Sequence, residues 1–263
     1  MTRPLFTAGQ EGAIGVMMPA MTAEPMLRAQ GVNKSFGALK VLFDVDFHVM
    51  PGEAVGIVGP NGAGKTTLFG ALAGSFPVSS GAIQLAGRDL SGTSAAERCR
   101  LGLARTHQVP RPFLGMTVFE NVHVAARSGA GLDQAKATAE AADILRRTGL
   151  LPLANRPAAA LGLLDRKRLE VARALATQPT VILLDEIGGG LTEAELVALV
   201  ELIRSLQAGG LTVVWIEHIL HALLRVVTRL VCMAEGRVLA EGDPRDVMAH
   251  PEVQRAYLGS SPE

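Results

Sequence analysis

The apolar run Val55-Gly56-Ile57-Val58 leads directly into Gly59-Pro60-Asn61-Gly62-Ala63-Gly64-Lys65-Thr66-Thr67 and then into Leu68-Phe69-Gly70-Ala71-Leu72-Ala73. A strand that feeds a glycine-rich loop and then a helix, in the pattern G-x-x-x-x-G-K-[ST], constrains the chain to an α/β domain that binds phosphate. Loop N–H groups and the positive end of the helix surround the phosphate oxygens. Gly62 and Gly64 permit the turns that aim successive N–H groups inward. Lys65 sets its ammonium on the β- and γ-phosphates, and the Thr66 hydroxyl is a candidate Mg²⁺ ligand. The expected ligand is a nucleoside triphosphate, with Gly59, Pro60, Asn61, Gly62, Ala63, Gly64, Lys65, Thr66 and Thr67 as its candidate contacts.

The chain has 263 residues, 48% hydrophobic and 19% charged, enough to bury a core as one large domain or two intimate lobes. Lys+Arg and Asp+Glu are equal at 25 each, so the sequence offers no broad basic field for nucleic acid, which is not an expected partner. Two cysteines, Cys99 and Cys232, are too few for a disulfide framework and are expected to be reduced and packed. No stretch approaches the ~18–20 apolar residues needed to cross a bilayer. Residues 12–21 resemble a signal h-region, but Glu11 precedes them and Pro19 breaks them, so residues 1–26 are expected to be a loose leader.

From 27 to 49 apolar and polar residues alternate, with 41–47 reading as strand, and Pro51-Gly52 turns into the phosphate-loop strand. Residues 82–85 give another strand. The segments 95–101, 118–127 and 133–148 then carry helical spacing and many alanines, separated by Pro110, Pro112, Gly115 and the glycines at 129 and 131. This predicts a helical lobe inserted into an α/β core. Helix 166–176, strand 181–184, helix 193–208 and strands 211–216 and 230–233 restore the alternation of a mostly parallel sheet.

Val181-Ile182-Leu183-Leu184-Asp185-Glu186 is a buried-type strand ending in two carboxylates, at the end where ligands collect in open α/β sheets. Asp185 would hold Mg²⁺ directly or through water, and Glu186 would orient or deprotonate the attacking water. The plain alternative is that both carboxylates simply begin a turn. Ile216-Glu217-His218 similarly ends a strand with an imidazole that either reaches the γ-phosphate and its water or serves structure alone.

These motifs, in this order, resemble the ATP-binding subunit of ATP-binding-cassette (ABC) transporters over residues 27–259. Within that family the chain looks most like the branched-chain amino acid importer ATPases. The closer match rests on Phe36-Gly-Ala-Leu-Lys-Val-Leu, Pro51-Gly-Glu, residues 59–69, Leu101-Gly-Leu-Ala-Arg-Thr-His-Gln108, Met116-Thr-Val-Phe-Glu-Asn-Val122 and Ala256-Tyr-Leu-Gly259. The resemblance implies a P-loop NTPase of the ABC ATPase type: a mostly parallel sheet core (27–107 and 166–259), an antiparallel β subdomain, an inserted helical subdomain (108–165), and a tail at 260–263. It implies that Phe36 stacks on adenine, an interaction worth ~1–3 kcal/mol, the alternative being a core phenylalanine. It makes Gln108 a contact to Mg²⁺ and the attacking water, Glu186 the catalytic carboxylate and His218 the switch histidine. Residues 109–113 would meet the coupling helix of a transmembrane permease subunit. A solute-binding protein would act upstream of that permease, and the chain would sit at the cytoplasmic face of the cell membrane.

The family's Leu-Ser-Gly-Gly-Gln signature, which caps ATP on the opposite subunit, is replaced here by Leu161-Gly162-Leu163-Leu164-Asp165. Gly162 offers no hydroxyl to the γ-phosphate, a charge-assisted bond worth about 1.5–3 kcal/mol. Leu163 and Leu164 put side chains where glycines let backbone approach. Asp165 brings negative charge near an anion, or caps the helix. Ile187 replaces the usual proline after Glu186, and Gly188-Gly189-Gly190-Leu191-Thr192-Glu193 stands in for the loop through which subunits read each other, so both are expected at the dimer interface. The resulting expectation is pairing with a second, different ATPase subunit that carries an intact signature. Rival expectations are an ATPase for lipid or lipopolysaccharide export, a soluble non-transport ABC protein, and a regulatory nucleotide-binding module.

Overall fold

The computed structural model describes residues 24–258. Most of the leader expected over 1–26, together with Gly259 and the tail at 260–263, lies outside the described residues. Met26 is already tied to the fold, its N–H donating to the Val49 carbonyl at 2.8 Å.

In chain order the elements are β1 (Leu27–Phe36), β2 (Leu39–Val49), β3 (Ala54–Val58), α1 (Lys65–Ala73), β4 (Ser80–Leu85), β5 (Arg88–Asp89), α2 (Ala95–Arg100) and β6 (Leu103–Arg105). There follow α3 (Val118–Ser128), α4 (Gln134–Arg147), α5 (Leu163–Leu175), β7 (Val181–Asp185), α6 (Glu193–Ala208), β8 (Thr212–Ile216), α7 (Leu220–Leu223), β9 (Arg229–Ala234), β10 (Arg237–Gly242), α8 (Pro244–Ala249) and α9 (Pro251–Leu258). Among the described residues the strands form a four-stranded sheet ordered β2-β1-β4-β5 and a six-stranded sheet ordered β10-β9-β3-β8-β7-β6. The first is antiparallel throughout, and the second is parallel except for the edge pair of β10 with β9. The six-stranded sheet is the mostly parallel one that the strand–helix alternation predicted, and the antiparallel sheet is the one that the resemblance implies.

The six-stranded sheet is buried on both faces, which is why β3, β7 and β8 read as continuous apolar runs. Ile182, Leu184, Val213 and Trp215 face a core shared with α3, α4, α5 and α6. Leu183, Val214 and Ile216 face the opposite core, shared with α1 and the antiparallel sheet. Helix α1 lies in that second core, so it is apolar all round: every residue from Leu68 to Ala73 is buried. Arg98 of α2 closes its far end, donating to the Ala71 and Leu72 carbonyls at 2.6 and 2.7 Å.

Helices α3 and α4 start where their caps dictate. Thr117 and Glu120 form a capping box on α3, and the Asp133 side chain accepts from the Lys136 N–H at the start of α4. Several boundaries differ from expectation, among them the strand expected over 82–85, which begins at Ser80. The strand expected over 41–47 runs from Leu39 to Val49, and the helix expected from Arg166 begins at Leu163, with Gly162 as its N-cap. Asp165 therefore does not cap the helix; it sits inside the first turn and pairs with Arg168 at 3.5 Å. Ile187, expected at the dimer interface, is buried in the main core instead. Strands β5 and β10 and helices α7, α8 and α9 lie where no element is expected from the sequence, although Asp243-Pro244 is the cap-and-proline start of α8.

Candidate functional site

Register brings the site together. Strands β3, β8, β7 and β6 are consecutive parallel neighbours, with Ile57 opposite Ile216, Ile216 opposite Asp185 and Arg105 opposite Leu183. Their carboxyl ends therefore emerge side by side. They carry in turn the phosphate loop, Glu217-His218, Asp185-Glu186 and the segment to Gln108, the placement expected of ligand groups in an open parallel sheet.

The phosphate loop turns through positive φ at Gly59 (144°), Gly62 (81°) and Gly64 (94°). A Cβ on Gly59 would lie 2.0 Å from the Met233 carbonyl oxygen, so that position admits no side chain. Lys65 is buried, and its Nζ donates to the Gly59 and Pro60 carbonyls at 2.7 and 3.0 Å. Burial holds this ammonium below the ordinary lysine range, opposed by the Glu186 and Asp185 carboxylates nearby. A buried cation satisfied only by carbonyls of its own loop fits a phosphate, which would take over those donors. Thr66 is the second residue of α1 and is exposed.

Glu186 is the centre of the constellation. One oxygen lies 2.7 Å from His218 Nε2, and the other accepts from Gln108 Nε2. Its backbone has φ 47°, a left-handed conformation that a non-glycine residue adopts at a cost of about 1–3 kcal/mol and that concentrates at functional sites. The Glu186 N–H nonetheless donates to the Ile216 carbonyl at 2.9 Å, so the strand pairing holds the strained residue in place. Asp185, buried, forms an ion pair at 2.7 Å with Arg105 of β6. Sequence reasoning missed Arg105, although it lies in the quoted segment 101–108; its charge at the end of an apolar strand was the available signal. It also missed the role of Glu217, whose side chain is buried behind His218.

Phe36 ends β1 in the antiparallel sheet. It is 45% exposed, so it is not a core phenylalanine. Its ring meets Phe76 edge-on at 5.1 Å, and the Lys34 Nζ lies 4.7 Å above it. Phe76 packs on Gly70 of α1, where an added Cβ would fall 2.6 Å from its ring, so Phe36 flanks the helix that the phosphate loop opens. Residues 161–165 form a separate feature at the start of α5. Leu161 is buried, Leu164 packs against the main core, and Leu163 stands exposed beside Gly190. The α5 N-cap has no side-chain hydrogen bond.

Among the described residues no group of three or more His, Cys, Asp or Glu side chains is arranged to hold a metal. The hydroxyl of Thr66, the carboxylate of Asp185 and the amide oxygen of Gln108, at the phosphate loop and the neighbouring strand ends, are hard oxygen donors of the kind that suit Mg²⁺ alongside nucleotide phosphates. Cys232 is buried on β9, and burial pushes its thiol up to about 11, in keeping with a packed, reduced cysteine. No described helix is long and apolar enough to cross a membrane.

A phosphate loop, an imidazole at the adjacent strand end and a carboxylate pair on the strand after it, all on a parallel sheet, define a P-loop nucleoside triphosphatase. Residues 42–188 match the family described as ABC transporter, and residues 237–262 match the family described as branched-chain amino acid ATP-binding cassette transporter. The chain belongs to the ABC transporter ATP-binding family, whose members are ATPases. It is 37% identical over 254 residues to the high-affinity branched-chain amino acid transport ATP-binding protein LivG of Escherichia coli K12, covering 91% of this chain and 100% of that protein. It is 34% identical, with the same coverage, to the corresponding protein BraF of Pseudomonas aeruginosa. A crystal structure of a nucleotide-free ATP-binding cassette superposes with a TM-score of 0.82 at 29% identity, covering 90% of this chain and 100% of that one. The ADP conformation of an ABC transporter cassette superposes at 0.81, also at 29% identity and with the same coverage.

Proposed function

We propose that this chain binds Mg-ATP and hydrolyses it to drive a membrane permease that takes up branched-chain amino acids or related small solutes. The observation that carries the hydrolytic step is Glu186, held between His218 and Gln108 at the end of β7, one strand removed from the phosphate-loop strand. Lys65 and the loop N–H groups bind the β- and γ-phosphates, and Phe36 stacks on the base. Glu186 orients the attacking water and accepts its proton, His218 holds Glu186 and the γ-phosphate in line, and Gln108 senses the water. Thr66, Asp185 and Gln108 would hold Mg²⁺, which supplies charge neutralisation at the phosphates.

The solute class rests on the names of the LivG and BraF relatives and on the match of residues 237–262. Val109 and Leu114, 69% and 56% exposed, lie with exposed Phe113 in the segment after Gln108 and suit docking of a permease helix at the cytoplasmic face of the membrane. A solute-binding protein would deliver cargo to that permease. The bare N-cap at Gly162 and the exposed Leu163 support pairing with a second, different ATPase, whose intact signature would close over the ATP held here.

Mg-ATP hydrolysis across a protein concentration series, with Glu186→Gln as the blank and nucleotide binding followed in parallel, tests this. Glu186→Gln is expected to keep nucleotide affinity and lose about 10²- to 10⁴-fold in turnover of the assembled complex. Equal turnover in both proteins would remove Glu186 from the chemistry. Specific activity of the chain alone that rises with concentration would replace the unequal pair by a working homodimer.

A further inference from the structure

Directly behind the Glu186–His218 contact lies a second carboxylate. Glu217 is only 2% exposed, and its hydrogen bonds run to backbone N–H groups on two different segments. Oε2 accepts from Gly188 N–H at 2.8 Å. Oε1 accepts from its neighbour His218 N–H at 3.0 Å and from Ile219 N–H at 3.4 Å. Gly188 is two residues beyond Glu186. A Cβ there would fall 2.8 Å from Glu217 Oε2, so a side chain at this position would push the carboxylate out of its present place.

Burying a carboxylate is costly unless donors and a nearby cation compensate it. Lys167, on the first turns of α5 and 3% exposed, is that cation. Burial lowers its pKa, and the charges of Glu217 and Glu186 act in the opposite direction. A neutral isostere would fill the same space without this desolvation cost, and a carboxylate does what that isostere cannot: both its oxygens accept.

We propose that Glu217 is a positioning residue that clamps the backbone after Glu186 to the backbone of His218, and so keeps the Glu186 carboxylate and the His218 ring in hydrogen-bonding register. The clamp rests on the hydrolytic roles given above to Glu186 and His218. It also deepens them. Gly188 begins the Gly188-Gly189-Gly190 loop, whose last two residues are exposed on the same surface as Leu163. A displacement of that loop by a second subunit therefore pulls on Glu217 Oε2, and through Oε1 on His218. Glu217 is in this way the mechanical link between subunit closure and the catalytic pair.

The test is made on the full chain without nucleotide, by following the His218 ring resonance in ¹H–¹³C spectra, assigned through His218→Gln. In the otherwise unaltered chain, Glu186→Gln is expected to shift that resonance. In a Glu217→Ala background the same change is expected to leave it nearly still, because the ring has left the Glu186 carboxylate. Glu217→Gln keeps the shape and one acceptor while turning an NH₂ toward a backbone donor, so it retains the fold and gives an intermediate response. In the assembled transporter, both Glu217 variants are expected to lower kcat about 10- to 100-fold with nucleotide affinity unchanged. A His218 resonance that answers Glu186→Gln equally in all backgrounds, or a kcat untouched by Glu217→Gln, overturns the clamp. Loss of coupling in the spectra together with a Glu186→Gln transporter that still turns over would spare the clamp and overturn the hydrolytic reading instead.

Discussion

Gly162→Ser is expected to change turnover while leaving stability almost untouched. Gly162 has φ −68° and ψ 174°, the extended geometry of an N-cap, and a Cβ added to it meets nothing within 4 Å. A serine therefore enters without strain. Since replacing a capping serine by glycine costs only a few tenths of a kcal/mol, the reverse change should stabilise α5 by no more than that, a negligible shift in thermal midpoint for a domain this size. The functional term is larger. A hydroxyl placed on the γ-phosphate of a nucleotide across the subunit interface gains about 1.5–3 kcal/mol in the closed state, which is roughly 10- to 150-fold in turnover if closure limits the rate. The measurement is ATP hydrolysis by the complete transporter in proteoliposomes, with thermal melting of the isolated chain as the control. Adding Leu163→Gly should add to the gain, because Leu163 is exposed and its Cδ2 lies 3.1 Å from where a Cβ on Gly190 would stand. Leu164 should be left alone, since it packs against the main core and its removal costs packing energy. A Gly162→Ser transporter that melts normally and hydrolyses ATP at the original rate would refute the idea that the missing hydroxyl limits the second site.

Arg105→Met leaves Asp185 buried without its 2.7 Å partner, and should cost up to about 3–5 kcal/mol in denaturant unfolding. Arg105→Met with Asp185→Asn should recover most of that loss, and failure to recover would mean that Arg105 acts through packing. Glu53 offers a pH test: burial alone would raise its pKa, but hydrogen bonds from Arg229, at 2.7 Å, and from Met50 N–H hold it below 4.5. A lowered folded pKa means that this stabilisation is fully present above the unfolded value near 4.5 and is lost as pH falls through the folded one. Urea midpoints measured from pH 6 to pH 3 should therefore fall less steeply for Glu53→Gln than for the parent, and parallel curves would contradict the assignment.

The local features were legible in the sequence because they depend on neighbours along the chain. The phosphate loop needs glycines at fixed offsets from Lys65, and the buried strands show as unbroken apolar runs. Helices α3 and α4 show as helical spacing and many alanines between glycines and prolines, and the structure adds the caps at Thr117 and Asp133. Even the departure at residues 161–165 was visible as residue types in the wrong places. What the sequence left open was decided by register between strands far apart in the chain. Only the parallel pairing of β3, β8, β7 and β6 sets Glu186, His218 and Gln108 around one another, and only that pairing gives Asp185 the Arg105 guanidinium. The same holds for direction. Ile187 and Glu217 look like surface neighbours of functional residues, yet both turn inward, one into the core and the other onto Gly188 and His218. Side-chain facing after a strand end depends on where the backbone leaves the sheet, as at left-handed Glu186, and no periodicity survives there to be read.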